Sequence, residues 1–88
     1  MKSLAQAVVD AAAFLELSGD DVVSPDAAVD ALESIAAALS EATREEKKCV
    51  LDYCAAQAKA LVDDASVGAA KRRAFYLGFE ESFGLSDE

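Results

Sequence analysis

Apolar residues recur along this chain at the three- and four-residue intervals of amphipathic helices, in four successive segments. In the first, Leu4, Val8, Ala11 and Leu15 share a stripe that Phe14 widens; Ser3 is placed to cap its start, and Ser18-Gly19 to stop it. Asp20-Asp21-Val22-Val23 is too short to pair as a strand and reads as a connector whose two valines pin it to the core. The second segment opens with Ser24 as N-cap, Pro25 at the first helical position and Asp26 in the first turn, three features that favour the same start. Its inner stripe is Val29, Leu32, Ile35, Ala36 and Leu39, while Asp26, Asp30, Glu33, Ala37 and Glu41 follow the opposite face.

Thr43-Arg44-Glu45-Glu46 has the form of a capping box and starts a third helix, with Val50, Leu51, Cys54, Ala58, Leu61 and Val62 inward. The short link between the second and third segments predicts an antiparallel hairpin. After Ser66-Val67-Gly68 a fourth helix carries Phe75, Tyr76 and Phe79, and Gly84 is placed to terminate it beyond Phe83. The pattern therefore predicts an all-α chain, a small antiparallel four-helix bundle with helices near 3–18, 25–41, 44–64 and 69–82. Its expected core includes Leu15, Val29, Leu32, Ile35, Leu39, Leu51, Leu61 and Leu77.

At 88 residues the chain has about one core's worth of apolar surface and reads as a single domain over 1–88. Hydrophobic residues make up 53%, but alanine supplies 20 of them, so the larger side chains must pack economically. Cys49 and Cys54, five apart on one helix, project about 140° apart and are poorly placed for a disulfide, which predicts reduced, half-buried thiols. Asp10 and Glu16 interrupt the apolar run at the start, unlike a signal peptide, and no stretch approaches the ~18 apolar residues of a membrane span; the expected location is cytoplasmic.

Net charge is −9, and it is unevenly spread. Residues 3–43 hold eight acids and no base, whereas 44–88 hold nine acids and seven bases. Such a surface repels nucleic acid and anionic lipid and attracts basic proteins. Helical surfaces usually mix both signs, because like charges at i, i+4 such as Asp26 and Asp30 subtract stability; a basic partner would explain that cost. The alternative is a merely solvated face.

The absence of histidine removes the commonest general base and zinc ligand, and with it Ser-His and Cys-His nucleophile pairs. Asp20 to Ala31 lacks the glycine at position six and glutamate at position twelve of a calcium loop, and the four glycines form no phosphate loop. No enzyme activity, cofactor or metal is expected. Lys71-Arg72-Arg73 beside Phe75 and Tyr76 could meet phosphate and stack on bases, but three charges give a small counterion-release term; balancing the chain's own acids is the favoured reading.

Ala74-Phe75-Tyr76-Leu77-Gly78, following a helical hairpin, resembles a C-terminal segment of small all-helical immunity proteins that neutralise interbacterial toxins. The segment from Asp20 to Ala28 is similar to a recurrent bacterial helix-entry motif to which no activity attaches. The first resemblance implies a non-enzymatic, antitoxin-like inhibitor covering the active site of a basic toxin or effector enzyme. Competing readings are a structural or adaptor bundle, homodimeric through its fourth helix, and a phage-type inhibitor that imitates nucleic-acid charge. For a protein interface the candidate residues are Asp20, Asp21, Asp26, Asp30, Glu33 and Glu41, with Tyr76 and Phe83 as aromatic contacts.

Overall fold

The computed structural model describes residues 2–85 and is all-α, with no strand among them. Its helices are α1 (Lys2–Leu17), α2 (Pro25–Ser40), α3 (Arg44–Ala60), α4 (Ala69–Leu77) and α5 (Phe79–Ser82). The starts follow local chemistry. Ser24 Oγ accepts from the Ala27 amide at 3.2 Å ahead of Pro25, and Thr43 and Glu46 exchange both capping-box bonds, at 2.7 and 3.1 Å.

Two ends depart from the sequence pattern. Helix α3 stops at Ala60 because Asp63 and Asp64 are acids at the negative end of a helix. The Asp64 carboxylate also accepts from both the amide and the hydroxyl of Ser66, holding the chain in a turn instead. The fourth helix divides at Gly78, where ψ is 0°, although the hydrogen-bond ladder runs on from Gly78 N to Ala74 O and from Ser82 N to Gly78 O. Beyond α5 the chain closes in a Schellman turn: Leu85 N–H reaches Glu80 O at 2.8 Å, Gly84 N–H reaches Glu81 O, and Gly84 takes φ +65°. That turn seats Leu85 in the core.

Helix α1 packs against α2, α3 and α4, and α3 also packs on α4 and α5. By contrast α2 rests chiefly on α1, with little packing along α3 or α4. The predicted α2–α3 hairpin is thus joined by a short link but splayed. The Cα radius of gyration is 12.9 Å, slightly above the ~12 Å of a compact domain of this length.

The core is small-grained. Ala5, Val9, Ala12, Val50, Cys54, Ala58 and Ala69 bring α1, α3 and α4 together, and the only large side chains fully enclosed among the described residues are Val9 and Phe79. Phe79 stacks on Phe83 with centroids 4.2 Å apart and meets Phe75 edge-on at 5.6 Å.

Of the expected core, Leu39 is buried, Leu15, Leu32, Ile35, Leu51 and Leu61 are half-buried, and Val29 and Leu77 are exposed. Leu77 lies about 200° around the helix from Phe75, so the inward aromatic stripe turns it to solvent. Val29 lies on the open flank of α2, and Val22 of the connector is exposed, leaving Val23 as its half-buried contact. In α1 the buried stripe is Ala5, Val9 and Ala12, one position on from the predicted Leu4, Val8 and Ala11. Three helices surround α1, so it has two apolar faces.

Candidate functional site

All six acidic candidates are exposed. Asp20 and Asp21 lie on the connector between α1 and α2, which folds into a turn through bonds from the Val22 and Val23 amides to Gly19 O. Asp26, Asp30 and Glu33 fall on the outer face of α2, and Glu41 is its C-cap residue. None of these acids forms an ion pair with a described residue. Glu41 adds a carboxylate where the α2 carbonyls already present partial negative charge, the unfavourable end for an acid.

The structure separates the two aromatic candidates. Phe83, half-buried by its stack on Phe79, lines a groove of about 500 Å³ between α2 and α4, with Val29 and Glu33 on the α2 wall and Lys71 and Phe75 on the α4 wall. Glu33 and Phe83 therefore share one depression. Tyr76, also half-buried, belongs elsewhere: it meets Phe75 edge-on and sits near Asp10 and Tyr53, away from the acidic face of α2.

That second cluster is one the sequence did not single out. Tyr53 of α3 donates to Asp10 Oδ1 of α1 at 2.8 Å, across 43 residues of chain. Burial and this bond to a carboxylate push the Tyr53 phenol up to about 12, and burial, with Asp10 nearby, also raises Tyr76. The Cys54 thiol below is pushed up to about 12 by burial alone, which keeps it protonated and unreactive. Cys49 is half-buried, and both thiols are free.

The basic triplet is only partly matched to the chain's own acids. Arg72 stands close enough to Asp64 to add to the two Ser66 hydrogen bonds that hold its carboxyl low. The Arg73 Nε is buried without a hydrogen-bond partner among the described residues.

Splaying of α2 from α3 opens the larger depression, a groove of about 580 Å³ over α1. Its apolar walls include Leu4 and Val8 of α1, Ile35 and Leu39 of α2, and Cys49 and Val50 of α3. The cause is legible in the side chains: Ala7, Ala11, Ala38 and Ala42 also line it and are too small to fill it. Leu4 is 68% exposed there, a large apolar residue left facing water. Among the described residues the only charged ones lining it are Glu41 and Glu46, whereas Arg44, Lys47 and Lys48 line a separate depression beside Asp52 and Glu80.

Among the described residues no three His, Cys, Asp or Glu side chains are grouped to hold a metal ion, and no helix is long and apolar enough to cross a membrane. Comparisons with protein-family profiles, curated proteins and solved structures find no match.

Proposed function

We propose that this chain is a non-enzymatic protein-binding module that recognises a basic partner protein, acting as an inhibitor of the immunity or antitoxin kind. The observation that carries the reading is the setting of α2. It stands on α1 with both flanks open, and Asp26, Asp30 and Glu33 project from its outer face without an ion pair to any described residue. A helix so placed presents its acids together, and in water-exposed geometry they steer a basic surface toward the chain before closer contacts form. Asp20, Asp21 and Glu41 extend the same negative field to the two ends of α2. The antiparallel four-helix bundle would form if α2 settled against α3 and α4, and partner binding is the step that we assign to closing or filling those flanks.

The test begins with a partner that co-purifies with the chain and is eluted by salt. Its association is then measured against wild type and the variant with Asp26→Lys, Asp30→Lys and Glu33→Lys. The variant should associate roughly tenfold more slowly at low salt and lose most of the salt dependence, with helical content preserved. Unchanged rate and affinity at low and physiological salt would reduce the acidic face to a solvated one. Exposed Leu77 on α4 favours a second reading, a homodimer through the fourth helix. Sedimentation equilibrium showing a dimer that Leu77→Gln dissociates would select it.

A further inference from the structure

We infer that the groove between α2 and α3 is the docking site for a basic amphipathic helix of the partner protein, an assignment that rests on the protein-binding reading and names the part of the partner that is held. At about 580 Å³ the groove is within the usual range of binding clefts, ~300–1,000 Å³. It is bounded by α1, α2, α3 and the short α2–α3 link, and no strand among the described residues offers it a free edge. An extended segment laid there would leave its own amide and carbonyl groups facing apolar walls, whereas a helix satisfies them internally and needs only apolar side chains at i, i+3 or i+4, and i+7.

Charge selects the flanks of that helix. Glu41 caps the carbonyl end of α2 and Glu46 stands across the link, so among the described residues the charged part of the lining carries one sign. Glu46 is held in place there, its Oε1 accepting from the Thr43 amide at 2.7 Å. Lysine or arginine at one end of the incoming stripe would meet both carboxylates, and leucine-sized residues would cover Leu4, Val8 and Ile35. A second copy of this chain is a poor occupant, because each copy brings a charge of −9.

The probe is a synthetic helical peptide with leucines in that spacing and lysines on both flanks, compared with a scrambled peptide of the same composition that has no apolar stripe. Binding is followed by fluorescence anisotropy and by protection of Cys49, which lies on the groove wall, from alkylation. The striped peptide should bind at least tenfold more tightly than the scrambled one and slow Cys49 alkylation. Leu4→Gln, at an exposed position with little to lose in folding, should weaken it several-fold. Combining Glu41→Gln with Glu46→Gln, which retains a capping-box residue, should weaken it roughly three- to tenfold at low salt and much less at high salt.

Equal binding of the two peptides, or striped binding indifferent to Leu4→Gln and without Cys49 protection, would overturn the assignment. So would a sedimenting dimer whose Cys49 is already protected, since the occupant would then be a second copy. The Asp26, Asp30 and Glu33 reversal should leave Cys49 protection by saturating peptide intact. A natural partner that responds to that reversal, together with a peptide that fails, would discard the groove and leave the protein-binding reading standing.

Discussion

Replacing Phe79 probes the centre of the fold, and replacing Leu77 two residues away asks whether the fourth helix is turned as described. Phe79 is fully enclosed, with one ring stacked on it at 4.2 Å and another edge-on at 5.6 Å. Truncation to alanine in such a site costs about 3–5 kcal/mol, against a total stability of about 4–13 kcal/mol for 88 residues at ordinary values per residue, so that variant is expected to stand near unfolding. Phe79→Leu is the measurable change. It keeps much of the apolar volume but loses two ring pairs, each worth about 0.5–1.5 kcal/mol beyond area, for a total near 1–3 kcal/mol. With a urea slope of about 1 kcal/mol per molar, the midpoint should fall by roughly 1–3 M, read by far-ultraviolet circular dichroism. Leu77 is 60% exposed, and Leu77→Ala should cost less than about 1 kcal/mol. A Leu77→Ala shift equal to or larger than that of Phe79→Leu would mean that the helix presents its other face to the core.

Thr43→Ala removes the hydroxyl that accepts from Glu46 N and should cost about 0.5–2 kcal/mol in urea unfolding, with Thr43→Ser restoring most of it. Alkaline pH should also destabilise the fold. The folded-state values of Cys54 and Tyr53 are both raised to about 12, from ordinary values of 9.0 and 10.0, so the folded chain holds protons that the unfolded chain releases. The stabilisation is complete below pH 9 and is lost as pH rises toward 12. Urea midpoints measured from pH 8 upward should decline from about pH 9, later in Cys54→Ala than in wild type; a midpoint flat to pH 11 would refute the burial assigned to these two groups.

Helix existence and helix starts were readable because their chemistry is local. Ser24-Pro25 and Thr43 with Glu46 act within four residues, and the structure places both caps where the sequence does. The Gly84 terminator is equally local, although its partner Leu85 becomes a core residue only through the turn that Gly84 makes. Facing was much less readable. Valine and alanine occur on adjacent positions in α1, at Val8-Val9 and Ala11-Ala12-Ala13, so two phases of the stripe fit equally well, and the neighbours of α1 decide between them. The acidic face of α2 was visible as a pattern, but its open flanks were not, because they arise where alanines of three segments meet. The Asp10–Tyr53 bond joins residues 43 apart and leaves no local signal.

That bond also bears on how α1 finds its axial position. An interface of alanine, valine and cysteine is nearly smooth, with few large knobs to lock one helix at a single height along another, so sliding by a turn would cost less than in a leucine-rich seam. A hydroxyl meeting a carboxylate at 2.8 Å does not tolerate a shift of 5.4 Å, one helical turn. The Tyr53–Asp10 pair therefore acts as a vernier pin, selecting one registration of α1 on α3. Losing it with Tyr53→Phe should broaden the amide resonances of α1 more than it lowers the unfolding midpoint.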